Sequence, residues 1–457
     1  MTATSPKNII NFHSLNKNLG KFHLSHTDKT FLIPQMNRIG SHLLAATFTG
    51  FGIKSQVLET YKGLDLGKEY TSGKECYPCQ ITTGDILYYF KQERNRLKTD
   101  FNPENYVYFM PESGGPCRFG MYNKYQRIVL DAFKDLDRVK IGSLTTTDGY
   151  SLEGFIEPKR VGELRKAGYL SVVVTDILER LLWRVRPYEK TPGMADAFIE
   201  DATDQMIDAF TKFGSHQNFN TIIDRVDKIA ASGVEIIDPI KPRKPMIGIV
   251  GEIYLRSHEQ ANQNLIRQLE NYGAEVVNAS LGEWVNYTSY ERLREAKIGM
   301  RSMIRQMKTD SLKSYIEKII RFGGDLLYQQ MRQKQLYKPA RTHIDIEKDH
   351  KIAHLEKLLK EQDLFCFDAG TEACLSIPGI LQYAEEGFNG VVNVFPFTCM
   401  PSTITAAIVR PFMSQLRIPY LDTPYDGSSQ PGREAAIRTF MYQAAQHAER
   451  CGGRQHR

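Results

Sequence analysis

Seven cysteines are spread along the 457 residues of the chain, and two of them stand three apart around a proline in Gly73-Lys74-Glu75-Cys76-Tyr77-Pro78-Cys79-Gln80. Thiols at that spacing can close a disulfide, cycle as a redox dithiol, hold a metal, or be there by chance. Cys117 ends the loop "PESGGPC" and Cys399 lies in "FPFTCMPST". Each of the three stretches sets cysteine next to proline and at or near the start of a helical segment. A helix start presents unpaired N–H groups and a positive dipole end, which stabilise thiolate and lower its pKa. Lys74 and Arg118 add positive charge close by. Proline beside cysteine fixes the loop and recurs near iron–sulfur ligands. Cys76, Cys79, Cys117 and Cys399 are therefore the candidate metal ligands.

The other cysteines carry less signal. Cys366, in "DLFCFDAG", falls in an apolar, strand-like run and reads as a core residue. Cys374, in "GTEACLSIPG", falls on a helix start and is a lesser candidate for a place near the site. Cys451 lies in a Gly- and Arg-bearing tail and reads as a bystander. Competing motifs fail. A phosphate-binding P-loop needs four residues between its glycine and Gly-Lys, then Ser or Thr. Here Gly67 and Gly73 have five between them, and Glu75 follows Lys74. No G-x-G-x-x-G opens a helix after a strand, and no G-x-S-x-G elbow is present. The histidines of "HIDIEKDHKIAH" (343–354) lie on a polar helical stretch and read as solvated.

The composition supports this chemistry without selecting it. The chain is long enough for two or three domains. A hydrophobic share of 41% and a charged share of 25% are ordinary for a soluble globular protein. The N-terminus has no apolar core of a secretory signal, and no run approaches the ~18 apolar residues of a membrane span. The expectation is a cytoplasmic protein without membrane segments, in a compartment where close cysteines bind metal or do redox chemistry. The net charge of +6 is uneven: residues 285–360 hold 17 Lys/Arg against 9 Asp/Glu, which leaves the rest slightly acidic. This block reads as helical, either with a solvated basic face or with a dock for an acidic partner. Nucleic acid is the poorer reading, because no aromatic-interleaved basic motif accompanies the charge.

Short apolar runs alternate with helix-length amphipathic segments, and this predicts an α/β fold with a mostly parallel sheet. Strands are expected at 29–34, 53–59, 106–111 and 138–144, and helices at 37–51 and 118–133. Residues 160–231 read as helical throughout. A second register opens at "MIGIVGEIY" and continues through a helix at 258–272 and "AEVVNA". It ends with "GVVNVFPF", a helix at 402–413, "IPYLDT" and a helix from Arg433. The architecture expected is two Rossmann-like doubly wound domains. The divisions are an extension at 1–29, a domain at 30–239, a linker at 240–245, a domain at 246–440 with a helical insertion near 285–360, and a tail at 441–457. Ligands of such sheets gather at the carboxyl ends of the strands. The cysteines span most of the chain, so their site belongs in the cleft between the domains. Zinc usually takes two closely spaced knuckles, so an iron–sulfur group fits this span better, with a zinc-stapled scaffold as the alternative.

"YTSGKECYPCQITTGD", "FMPESGGPCRFGMYNKYQRIVLD", "IGIVGEIYLRS", "GVVNVFPFTCMPSTI" and "IPYLDTPYDG" resemble the family of 2-hydroxyacyl-CoA dehydratases and their activase-related proteins. The resemblance covers about residues 30–440. It is nearest to the iron–sulfur part often fused behind ATP-hydrolysing activase domains. It implies a [4Fe–4S] or double-cubane cluster on Cys76, Cys79, Cys117 and Cys399, and the charges of Lys74 and Arg118, which flank these ligands in sequence, are expected to tune such a cluster. It further implies a dehydratase or reductase component, an acyl-CoA or other small-molecule substrate, and room for self-association. The ATPase part has no counterpart here. The resemblance therefore also implies a separate ATP-dependent activase of the actin/Hsp70-like superfamily, which would deliver low-potential electrons.

Overall fold

The computed structural model of the chain describes residues 17–213, 218–307 and 312–451. It is a mixed α/β structure with two parallel sheets. The first contains β1 (Leu19–Gly20), β2 (Thr30–Ile33), β3 (Ser55–Val57), β4 (Tyr106–Phe109) and β5 (Lys140–Gly142), in the order β1-β5-β4-β2-β3. The second contains β6 (Met246–Gly251), β7 (Glu275–Asn278), β8 (Gly390–Pro396) and β9 (Tyr420–Tyr425), in the order β7-β6-β8-β9. All strand pairs run parallel, with Phe31 beside Val107 in one sheet and Ile249 beside Val392 in the other. Parallel strands need crossovers, and helices cover their faces, which is why β4 and β8 are uncharged and buried along their whole length. Without β1, both sheets have the same order: second, first, third and fourth strand of the half. The connections from the first and third strands leave in opposite directions, which makes the carboxyl ends of these strands a topological switch point.

Three expectations are corrected. The chain before residue 30 is not a free extension from Leu19 onward. β1 joins the edge of the first sheet beside β5, and the Leu24 N–H donates to the Phe155 carbonyl at 2.8 Å. The expected helix at 258–272 is helical only over Leu265–Asn271, after a short helix Ile253–Ser257 and a connection at 258–264 that ends with Gln263 and Asn264 at positive φ. The basic block is also not an appendage of the second half. Its helices are Leu281–Arg305, Leu312–His343 and Ile352–Glu361. Leu336, Tyr337, Ala340 and Ile344 share one core with Val173, Ile177 and Leu181 of helix Val161–Val185. Met206 of helix Met194–Phe213 and Val226 of helix Phe219–Val234 complete that core. Periodicity marks each helix as amphipathic but says nothing of which distant helix covers its apolar stripe.

The histidine stretch is corrected as well. His354 is exposed, but the His350 side chain is only 10% exposed, with its ring nitrogens 3.2 Å from Glu283 and 3.5 Å from Glu386 and its ring edge-on to Tyr383. Burial disfavours its charge, yet the bonds and charges of Glu283 and Glu386 outweigh burial and push it up to about 10, from 6.5. A folded-state pKa above the unfolded one contributes stability that is complete below 6.5 and is lost as pH rises through about 10. Across that window this group should cost about 1.4 kcal/mol of stability per pH unit. His350→Gln should flatten the slope in denaturant melts, and an unchanged slope would remove His350 as its source.

Candidate metal centre

Cys76 is placed by glycines. Gly63 and Gly67 bring helix Leu64–Glu69 against helix Tyr77–Leu97 so closely that a Cβ on Gly67 would lie 1.9 Å from the Gln80 carbonyl oxygen. A Cβ on Gly84 would lie 2.1 Å from the Gly63 carbonyl oxygen. Backbone-to-backbone packing of this kind excludes any side chain, so the segment 70–76 has to turn back tightly. Glu75 secures the turn by accepting the Ser72 N–H at 3.0 Å. Cys76 caps the longer helix with φ 99° and ψ 146°, in a region that is nearly closed to residues with a Cβ. Such conformations cost on the order of 1–3 kcal/mol and gather at functional sites. Pro78 occupies the first turn, where no N–H is needed, and Cys79 is one turn in and fully buried.

Cys117 and Cys399 hold equivalent places in their sheets, after β4 and β8, the third strand of each half. Cys117 caps the 3-10 turn Arg118–Met121, and its sulfur accepts the Phe119 N–H at 3.5 Å. Cys399 caps helix Met400–Leu416 after Thr398, whose φ is +65°. Gly115 has φ +88°, and a Cβ there would lie 2.8 Å from the Gly370 carbonyl oxygen of the other half. Glycine is required where these two loops meet. Arg118 ties the loops together: its guanidinium donates to the Lys74 carbonyl at 2.5 Å and to the Thr398 carbonyl at 2.8 Å. Lys74 itself is exposed, and the contact it makes here is through its carbonyl.

The cysteines of the two halves are brought into electrostatic reach of one another. Cys76 interacts with Cys399 and Arg118, Cys79 with Cys76 and Arg118, and Cys117 with Cys76. Two carboxylates that sequence reasoning missed, the half-buried Glu252 and the buried Glu372, raise the Cys117 and Cys399 thiols through their charge. Glu252 follows β6 directly and accepts the Tyr254 and Leu255 N–H groups at 3.1 and 2.8 Å. An acid closing an uncharged strand was a usable signal for it. Glu372 precedes helix Ala373–Glu385 and had no such signal. One of its oxygens accepts the Ile253 N–H at 3.1 Å, and the other is buried without a partner.

These surroundings overturn the expected thiol acidity. Burial, reinforced by the carboxylates, pushes the Cys76, Cys117 and Cys399 thiols up to about 12. Burial raises Cys79 further still, and Arg118 opposes the rise at Cys76 and Cys79 without reversing it. Desolvation of an anion outweighs a helix start and one half-exposed guanidinium. A bound cation would reverse the balance and release the protons.

All seven cysteines are free thiols, so the Cys76–Cys79 pair is not a disulfide. Cys366 is exposed rather than in the core. Cys374 is buried and donates to the Phe367 carbonyl at 3.4 Å, beside Tyr287. Cys451 is exposed at the end of helix Arg433–Arg450. Among the described residues, no three Cys, His, Asp or Glu side chains close up into a shell for one ion. The groove lined by Arg410, Arg417, His447 and Arg450 lies at the amino end of β9, the opposite end of that sheet from Cys399, and Cys451 Sγ lies 3.5 Å from its His447.

Comparison with protein-family models and with curated proteins gives no match. Among the described residues, no helix is long and apolar enough to cross a membrane. The chemistry of the site therefore rests on its donors. Soft thiol donors from three loops suit zinc or an iron–sulfur group.

Proposed function

We propose that the chain is an iron–sulfur protein related to the 2-hydroxyacyl-CoA dehydratases, with a [4Fe–4S] or double-cubane cluster on Cys76, Cys79, Cys117 and Cys399. The observation that carries this is that Cys76 lies within electrostatic reach of Cys79, Cys117 and Cys399, with Arg118 clasping the Cys76 and Cys399 loops. The shared strand order supports two Rossmann-like units with the site in the cleft between them. When bound, the cluster supplies a low-potential one-electron carrier. The chain's own residues keep water from the sulfurs, hold the loops in register and set a positive charge, Arg118, beside Cys76 and Cys79. The reaction served is of reductive or dehydratase type, on an acyl-CoA or other small molecule. Anaerobically purified protein is expected to be brown, to contain iron and acid-labile sulfide, and to bleach with dithionite. Colourless protein with stoichiometric zinc would make the chain a zinc-stapled scaffold instead.

The electron donor proposed is a separate ATP-dependent activase with an acidic face, docking on the pair of helices Leu281–Arg305 and Leu312–His343. Ile304, Met307, Ile320 and Leu327 are 58%, 91%, 69% and 70% exposed there. Arg301, Arg305, Lys313 and Lys318 are exposed among them, and Lys308 lies outside the described residues. Apolar side chains among cations suit a partner that is itself apolar and acidic. Changing Arg301, Arg305, Lys313 and Lys318 together to glutamate should leave the visible spectrum intact and slow reduction by the activase. The effect should be greatest at low salt, since screening acts beyond about 10 Å at 0.1 M. Equal kinetics across a salt series would remove the dock.

A further inference from the structure

We propose that the groove at the amino end of β9 binds a phosphorylated small molecule. It lies between the end of helix Met400–Leu416, the start of β9 and the last turns of helix Arg433–Arg450, and has a volume of about 640 Å³. That volume is in the range of small-molecule sites. Arg410, Arg417 and Arg450 line it against one acid, Asp422. Asp422 is already satisfied. Its side chain is 7% exposed and accepts the Asn393 amide at 2.9 Å, the Tyr420 hydroxyl at 2.7 Å and the Arg410 guanidinium at 2.8 Å. Arg410 is thereby held and neutralised. Arg417 and Arg450 have no carboxylate partner among the described residues, so the groove keeps two uncompensated positive charges.

Local structure does not account for Arg417. It follows the last turn of its helix with φ 56° and ψ 31°, the left-handed conformation in which glycine is the usual residue. The turn alone would be better served by glycine. His447, in the same lining, is a hydrogen-bond donor as well. The Asn389 oxygen accepts the Met246 N–H at 2.9 Å, so its amide nitrogen donates to His447 Nδ1 at 3.3 Å and the ring proton sits on Nε2. Guanidinium forks match phosphate oxygens with paired N–H···O bonds. Two free cations in one groove suit a phosphate dianion better than a single carboxylate. Ile418 and Pro419, half-buried in the same lining, offer an apolar wall for the rest of the ligand.

The test is calorimetric titration of inorganic pyrophosphate and of AMP into the full chain, for wild type, Arg417→Gly and Arg450→Gln, with thermal melting alongside. Both ligands should bind wild type at a single site, and pyrophosphate should displace AMP. Each variant should weaken binding by about 10-fold or more, because a hydrogen-bonded charge pair is lost. Arg417→Gly should melt no lower than wild type, which separates loss of a ligand contact from loss of the fold. Wild type that binds neither ligand at millimolar concentration would overturn the proposal. So would Arg417→Gly and Arg450→Gln proteins that bind pyrophosphate as wild type does, because the ligand would then sit elsewhere.

Discussion

Cys399→Ser is expected to deprive the protein of most of its iron, although this residue is 282 positions from the nearest other ligand proposed, Cys117. Serine preserves the size of the side chain but offers a poorly ionising hydroxyl where a soft thiolate is needed. The site is too buried for water to substitute readily. A ligand loss should weaken retention at least as much as the 10–100-fold typical of supporting residues. Cys76→Ser, Cys79→Ser and Cys117→Ser should also lower iron content, while Cys366→Ser and Cys451→Ser, at exposed thiols, should not. Iron analysis and visible spectra after anaerobic purification check this series. A Cys399→Ser protein with full iron and an unchanged spectrum would mean that the second sheet contributes no ligand.

The largest expected loss of stability comes from Asp349→Ala. Asp349 pairs with Arg180 at 2.6 Å, and the two side chains are 2% and 5% exposed. This pair joins helix Val161–Val185 to the segment that follows helix Leu312–His343, so it pins together the two sources of the helical body. Arg180 also donates to the Glu347 carbonyl at 2.6 Å, and its charge lies over the Tyr337 ring. Removing the carboxylate leaves a guanidinium in the core with half its compensation, and such losses cost about 3–5 kcal/mol. Replacing both partners with apolar residues, Arg180→Met with Asp349→Leu, should cost much less, because no buried charge remains. Urea melts of the single and double variants decide this. An Asp349→Ala protein within about 1 kcal/mol of wild type would show that Asp176, which caps helix Leu281–Arg305 through the Leu281 and Gly282 N–H groups, neutralises Arg180 by itself.

Much of the frame was legible because strands buried on both faces must be uncharged runs and their crossovers must be amphipathic helices. Leu32, Tyr108, Ile249 and Val392 all fall in stretches that read as strands without any tertiary knowledge. The cysteine loops were legible for the same reason, since a loop that leaves the carboxyl end of a parallel strand lands at a helix start. β1 was not, because two residues carry no period. Its assignment depends on the free edge that β5 offers.

The helical body was hidden for a different reason: helix Leu312–His343 covers helices more than a hundred residues earlier, and an apolar stripe does not name its partner. The sequence by itself determined the α/β class and the ends of the strands where chemistry could gather. Only the tertiary structure decided that Arg118 joins residues 74 and 398, that burial holds the thiols neutral and that His350 is paired. It alone set Glu372 beside Glu252 and on the Ile253 N–H. Residue type and spacing are local quantities. Desolvation and charge–charge energy depend on what the rest of the chain places within a few ångströms.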